Sequence, residues 1–338
     1  MAPALMGSKD QATAPTEDDS DAARTVQSYM YYLERTDLYD VEKPYTMRYE
    51  PDEEEGIPQT NFVKVKKPLV VRSMRHCAPC SPTVLSSDDA VEDKSSLFKL
   101  EECGFQKIVL KSQLSYDEFW DNDKVTKTYV QEVKSALKRE LGAKYVFVLD
   151  YAVRRRHPSF PVSTGGEYEY DQPTSLAHID FTIEEGERII NVLFGDRASE
   201  VLTGRWQAIN VWKPIKGPLN DWPLGLCDTR SVDWNTDVVP SDVVFDDFVT
   251  ENIQIYHNPA MQWYYLPDQE SWEALIFKSA DSVGPRSTAC PHSGFYNPSA
   301  SKEERRESLD CRCFVFYADL DEYPPIVGDV CKPHAQML

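Results

Sequence analysis

The sequence lacks two features that would direct a chain to a membrane. It contains no run of about 18 apolar residues, the length that a membrane-spanning helix needs. The first 23 residues are small and acidic, without the basic-then-apolar order of an export signal. We therefore predict a cytoplasmic protein.

Positive charge is also scarce. Lys and Arg number 36 against 56 Asp and Glu, which gives a formal net charge of -20. A surface of this sign repels phosphate backbones and anionic lipid headgroups. Nucleic acid and membrane surfaces are therefore not expected partners.

Regular cysteine spacing and internal repeats are absent as well. The eight cysteines would stay as thiols in a reducing compartment, so no disulfide framework is predicted. The 338 residues, 41% of them hydrophobic, suffice for a sizeable core. Composition alone leaves the oligomeric state undefined.

Three segments of the chain differ in composition. Residues 1–23 contain almost no large apolar side chains and are predicted to form a disordered or loosely packed tail. Residues 24–143 are predicted to be an N-terminal extension with a scaffold helix, packed on a core formed by residues 144–338.

Two helices are predicted from apolar spacing and capping residues. Apolar residues recur every fourth position from Val125 to Leu141, and Gly142 supplies a left-handed stop. Thr182 begins the second helix, with Glu185 completing a capping box. Short strands separated by turns dominate from Trp206 onward, so the predicted class is mainly β with flanking helices (α+β), in a sandwich or barrel.

A histidine and an aspartate stand two residues apart in the segment Ala177–Phe181. Residues at i and i+2 of a strand share a face, so His178 and Asp180 can converge on one metal ion. His292, far along the chain, is the candidate third ligand. Two histidines and one carboxylate leave coordination positions open, which suits non-haem iron(II).

An arginine and a serine follow the distal histidine at the start of an apolar strand. Arg306 and Ser308 would share a strand face, where a guanidinium can grip a carboxylate in a bidentate fashion and the hydroxyl can add a further hydrogen bond. Arg312 lies on the same face of a regular strand and is a rival for this role.

This order of motifs resembles the 2-oxoglutarate-dependent oxygenases with a double-stranded β-helix (jelly-roll) fold. The chain is similar to the family that contains gibberellin desaturase, aspergillic-acid-type hydroxylases and the cephamycin methoxylation component. The similarity spans roughly residues 144–317. The segments of similar sequence are residues 205–214, 217–228, 277–282, 291–292 and 306–312.

The resemblance implies a set of roles for this chain. His178, Asp180 and His292 would bind iron(II), and Arg306 with Ser308 would hold the distal carboxylate of the cosubstrate 2-oxoglutarate. Dioxygen would be the oxidant, with ascorbate as the reductant in vitro. The reaction would be hydroxylation, desaturation or oxidative ring closure of a small-molecule substrate, in secondary-metabolite biosynthesis.

Three residues are candidates for the substrate pocket. Asn210 and Trp212 would face the barrel interior, although core packing explains Trp212 equally well. Cys313 stands where the family usually has a bulkier aliphatic residue, which makes it the third candidate.

Two alternatives stay open at this point. The chain could be a cupin-type metal-dependent hydrolase or isomerase, but such an enzyme has no need of the Arg-x-Ser clamp. The basic run 154–157 could bind an acidic substrate, yet a run of this kind at a strand end is more often a solvated loop or a charge partner for an acidic surface.

Overall fold

The structure is a computed structural model that describes residues 25–52, 56–79, 93–162, 168–284, 288–301 and 303–320. The predicted tail, residues 1–23, lies outside this range. No helix in the described ranges is long and apolar enough to cross a membrane.

Strands make up most of the regular structure, as the sequence predicted. They are β1 Thr25–Leu33, β2 Tyr45–Met47, β3 Lys64–Ser73, β4 Phe105–Val109, β5 Tyr145–Arg155, β6 His178–Ile179, β7 Trp206–Pro214, β8 Leu224–Cys227, β9 Val238–Val244, β10 Val249–Ile255, β11 Trp263–Tyr265, β12 Glu273–Asp281, β13 His292–Gly294 and β14 Glu307–Phe316.

The helices are fewer and lie between the strands. The α-helices are α1 Leu100–Cys103, α2 Asn122–Lys124, α3 Val130–Leu141, α4 Ile183–Phe194 and α5 Ala198–Val201. A π-helical stretch at Val125–Tyr129 joins α2 to α3, and 3₁₀ turns occupy Asp37–Asp40, Lys94–Leu97, Asp117–Trp120, Gly195–Arg197 and Thr229–Ser231.

The described strands form two sheets. One has the order β1-β3-β11-β8-β13-β6-β10-β9-β2, and the other has the order β4-β12-β7-β14-β5. Apolar residues from both sheets meet between them, where Trp212 and Phe277 pack against Leu224 and Leu226. This confirms the predicted jelly-roll class and creates an interior face on each sheet.

Both sheets contain strands from the predicted N-terminal extension. β1, β2 and β3 belong to the nine-stranded sheet, and β4 pairs with β12 at the edge of the five-stranded sheet. Residues 25–109 therefore complete both layers. The boundary between residues 143 and 144 stays a prediction.

The predicted scaffold helix covers the outer face of the five-stranded sheet. Val125, Tyr129, Val133 and Leu137 are fully buried, in one cluster with the outward-facing residues of β7 and β14. Gly142 ends the helix at a φ of 69°, a left-handed conformation that glycine adopts without strain. The spacing and the stop signal are both confirmed.

At the start of α4, one of the two hydrogen bonds of the predicted capping box is present. The Thr182 hydroxyl accepts a hydrogen bond from the Glu185 backbone N–H at 3.1 Å, which confirms the cap. The Glu185 carboxylate does not turn back to residue 182. It instead accepts hydrogen bonds from Arg188 and from the Thr250 hydroxyl, because a buried carboxylate gains more from these partners.

A buried lysine lies beneath the scaffold helix. The Lys213 ammonium is between the rings of Phe119 and Tyr129, at 5.2 and 5.4 Å from their centroids, and it donates to the Leu110 carbonyl at 3.4 Å. Burial lowers the pKa of Lys213 to about 8. The charged amine is therefore a net cost to folding near neutral pH.

We expect Lys213→Met to raise the free energy of unfolding at pH 7 by about 1–2 kcal/mol, because it removes the desolvated charge and keeps the volume. The advantage of the variant should shrink as the pH rises from about 8 towards 10. In that window the folded parent loses a proton that its unfolded chain still binds, which stabilises the parent. Denaturant titrations of both proteins at pH 7 and pH 9.5 measure this difference, and a variant less stable than the parent at pH 7 would contradict it.

Candidate active site

His178, Asp180 and His292 meet at the interior face of the nine-stranded sheet. β6 and β13 are antiparallel neighbours, and His178 lies directly opposite His292 in their register. Asp180 follows β6 immediately. One side-chain donor atom from each of the three lies within 4.8 Å of the others, and His178 Nε2 is 3.4 Å from an Asp180 oxygen. The separations suit three ligands of a single cation.

Backbone carbonyls fix both imidazole rings. His178 Nδ1 is 2.8 Å from the Leu176 carbonyl oxygen, and His292 Nδ1 is 3.1 Å from the Cys290 carbonyl oxygen. A carbonyl only accepts hydrogen bonds, so Nδ1 carries a proton in each ring, and Nε2 is the ring atom left to face a metal ion. Burial, together with the neighbouring His178, lowers the pKa of His292 to about 4, so this ring is neutral near pH 7.

Asp180 is ionised and held in place by an amide. Burial alone would raise its pKa, but His178, His292 and Arg312 together bring the pKa well below the usual range. The Asn210 amide nitrogen donates to Asp180, and the Asn210 oxygen accepts from the Ser279 hydroxyl at 2.8 Å. The amide therefore orients the carboxylate towards the two histidines.

Arg306 lies in the same cavity and has no carboxylate partner for its guanidinium within the described part of the chain. Its Nε donates to the Ser308 hydroxyl at 3.1 Å and its Nη1 donates to the Trp222 carbonyl at 2.9 Å. Burial, and then repulsion from Arg154, lowers its pKa. A β-carbon at Gly294 would be only 3.0 Å from Nη1, so glycine there allows the close approach.

Arg312, the rival for the clamp, is already paired. Its guanidinium binds the buried carboxylate of Asp150 in a bidentate manner through Nε and Nη2, with Nε 2.8 Å from one carboxylate oxygen. It also lies 5.0 Å from the centroid of the Phe181 ring. Arg306 directly precedes β14 and Arg312 lies within it. Of these two arginines, only Arg306 has a guanidinium without a carboxylate partner in the described part of the chain.

The remaining predicted residues separate into two groups. Asn210 and Trp212 line the cavity, and the Arg306 guanidinium lies 5.0 Å from the centroid of the Trp212 indole ring. The Ser308 hydroxyl accepts a hydrogen bond from Arg306 Nε. The prediction for Cys313 is wrong, because its side chain packs in the cluster under α3. Alternation along β14 turns it to the opposite face from the cavity.

Two cavity residues were missed or undervalued in the sequence. Arg154, from the basic run, lines the cavity and pairs with Asp310 at 3.0 Å. Phe277 packs on His292 with ring centroids 4.5 Å apart. Spacing gave no signal for Phe277, because its contact is made across the two sheets.

Known proteins resemble the chain in both sequence and fold. The Fe(II)/2-oxoglutarate-dependent dioxygenase nvfI of Aspergillus novofumigatus is 30% identical over 204 residues, covering 58% of this chain and 69% of the relative. The hydroxylase/desaturase efuI of Hormonema carpetanum is 29% identical over 242 residues, covering 66% of this chain and 80% of the relative. A family model described as YDMC, Oxidoreductase/YMDC permease-like domain, matches residues 30–316.

The chain belongs to the family that this model describes and to which these relatives are similar. It is an iron(II)- and 2-oxoglutarate-dependent dioxygenase. The fold agrees with this. The solved structure of the iron and alpha-ketoglutarate-dependent endoperoxidase NvfI superposes with a TM-score of 0.71 at 24% identity, covering 87% of this chain and 98% of that one. The cofactors of the dioxygenase are therefore iron(II) and 2-oxoglutarate, and the alternative as a hydrolase or isomerase is set aside.

Proposed function

We propose that this dioxygenase oxidises a carbon–hydrogen bond of a small metabolite at an iron(II) held by His178, Asp180 and His292. The observation that carries the proposal is the joint placement around one cavity of three donors, one buried and two partly buried, and the Arg306 guanidinium. Among the described residues, no carboxylate pairs with that guanidinium. A hydrolytic metal site would need the donors but not the arginine.

The donor set fits iron(II). Two imidazoles and one carboxylate, all from one side, match the facial arrangement that leaves positions for a cosubstrate and dioxygen. When bound, iron(II) with 2-oxoglutarate and dioxygen supplies an oxidant able to remove hydrogen from an unactivated carbon. The carbonyl partners of both Nδ1 atoms fix the orientation of the rings that would hold the metal.

Arg306 is the proposed clamp for the distal carboxylate of 2-oxoglutarate, with Ser308 as its support. A guanidinium that is buried without an anion gains an ion pair when the cosubstrate enters. Arg312 is not the proposed clamp, since its donors already hold Asp150. Arg306 thus fixes the orientation of the cosubstrate relative to the three metal ligands.

The outcome of the oxidation is hydroxylation, desaturation or ring closure. The names of the relatives, a hydroxylase/desaturase and dioxygenases from fungi, support C–H oxidation in secondary-metabolite biosynthesis. The charge of -20 supports a small-molecule substrate over a nucleic acid or a membrane surface. A cytoplasmic location stays a prediction.

Cosubstrate turnover tests the proposal. The purified full chain should form succinate only when iron(II), ascorbate and 2-oxoglutarate are all present, and addition of a substrate from a metabolite panel should increase the rate. Zinc(II) in place of iron(II) should abolish the product. Absence of iron-dependent succinate formation with every member of the panel would overturn the proposal.

Asn210 tests the support of the metal site separately. We expect Asn210→Ala to weaken iron(II) binding by about 10- to 100-fold, because Asp180 loses the donor that orients it. Calorimetric titration of iron(II) under anaerobic conditions measures this loss. Asn191→Ala, which removes an exposed amide from α4, should leave the affinity unchanged. Equal affinities for the parent and the Asn210 variant would contradict the role.

A further inference from the structure

A second, larger cavity opens next to the proposed metal site. It has a volume of about 610 Å³ and shares His178 and Asp180 with the inner cavity that contains Arg306. Any molecule bound in it therefore lies beside the metal ligands. Its size is that of a small-metabolite site.

The wall of this outer cavity is partly apolar. Phe62, Leu176, Val243 and Phe245 contribute hydrocarbon surface from three different segments of the chain. Such a wall favours an apolar body by burying it away from water. The polar positions in the same cavity therefore have to supply the specificity.

Arg48 is the polar residue that stands out. It follows β2 directly, and its backbone N–H donates to the Val244 carbonyl at 2.8 Å, which anchors the residue at the cavity wall. Its side chain lines the cavity and is accessible to the solvent there. Within the described ranges, no carboxylate forms an ion pair with its guanidinium.

The other two arginines of the cavity are already neutralised. Arg312 pairs with Asp150, and Arg154 pairs with Asp310 at 3.0 Å. Arg154 and Arg312 repel the Arg48 guanidinium, while Asp171 attracts it. Among the described residues, Arg48 is thus the arginine of this cavity that has no paired carboxylate. Lys64 also lines the wall, but an ammonium lacks the planar fork of donors that binds a carboxylate in a bidentate manner.

We propose that Arg48 binds a carboxylate of the substrate, and that the substrate is an apolar metabolite carrying this acid group. The inference rests on the proposed function, because it places this molecule beside the iron site. Arg306 is enclosed in the inner cavity and is assigned to 2-oxoglutarate. Arg48 lies in the outer cavity, so the two guanidiniums separate the cosubstrate acid from the substrate acid.

A binding experiment without turnover tests this assignment. The full chain is loaded with zinc(II) and saturating 2-oxoglutarate, then titrated by calorimetry with phenylbutyric, naphthaleneacetic and abietic acids and with the methyl ester of each. We expect at least one acid to bind about tenfold or more tightly than its ester. Arg48→Gln should weaken binding of that acid by about 10- to 100-fold and leave the ester unchanged.

Two further variants separate charge from packing. Arg48→Lys should keep part of the preference for the acid, because the positive charge remains. Arg139→Gln, which removes an exposed arginine from α3, should keep all of it. No preference for any acid in the parent, or an unchanged preference in Arg48→Gln, would overturn the inference.

Titration of the zinc-loaded parent with 2-oxoglutarate alone distinguishes the two failures. If 2-oxoglutarate binds and the acids are not preferred, only the assignment of Arg48 is wrong. If 2-oxoglutarate does not bind, the proposed function fails and the inference fails with it.

Discussion

His178→Ala is expected to reduce iron-dependent succinate formation by at least about a thousandfold. Loss of an outer-sphere partner of a metal ligand costs about 10- to 100-fold, and loss of a ligand costs more. His178 lies opposite His292 in the strand register, and the cluster of possible metal ligands contains no further histidine from the described ranges. Succinate assays at saturating iron(II) and 2-oxoglutarate measure the loss, and anaerobic calorimetry shows whether iron(II) still binds.

A matched control removes a histidine elsewhere. His76→Ala deletes an exposed ring whose Nδ1 contacts the Ser73 hydroxyl and which is not part of the cluster of possible metal ligands. This variant should retain the activity of the parent. If His178→Ala kept more than about a tenth of the parental rate with unchanged iron(II) affinity, His178 would not be a ligand.

Arg306→Gln is expected to raise the KM for 2-oxoglutarate by about 100-fold or more. Truncating one member of a buried, hydrogen-bonded charge pair costs about 2–5 kcal/mol. The free energy of unfolding should change little or rise, because the variant removes a buried cation without a carboxylate partner. Steady-state kinetics over a range of 2-oxoglutarate concentrations, with a denaturant titration of each protein, measure both quantities.

Arg312→Gln should behave in the opposite way. It leaves the carboxylate of Asp150 buried without its partner, so we expect a loss of about 3–5 kcal/mol in stability. The double variant Asp150→Asn/Arg312→Gln should recover part of that stability. If Arg312→Gln raised the KM for 2-oxoglutarate more than Arg306→Gln did, the clamp would belong to Arg312.

Local patterns in the sequence were sufficient for much of the fold. The four-residue spacing from Val125 to Leu141 and the stop at Gly142 depend on neighbouring residues alone, so the helix could be located without tertiary information. The hydrogen bond that Glu185 accepts from Thr250 could not be predicted in this way, because the two residues are 65 positions apart in the chain.

The candidate site divides in the same way. The pattern His178-x-Asp180 placed two donors on one strand, and the resemblance added His292. Nothing in the sequence indicated that Asp150 pairs with Arg312 across β5 and β14, and this pairing distinguishes the two arginines. Cys313 was misplaced for a related reason, because which face of β14 turns inward depends on how the sheets pack.

The sequence by itself determined the class of the protein, its family and the residue types that can hold iron(II), because short-range periodicity and motif order encode them. Only the tertiary structure decided which of Arg306 and Arg312 pairs with a carboxylate, which face of β14 lines the cavity, and that Arg48 from the N-terminal region lines the same outer cavity as His178. These features depend on contacts between residues distant in the chain, and such contacts form only when the two sheets pack together.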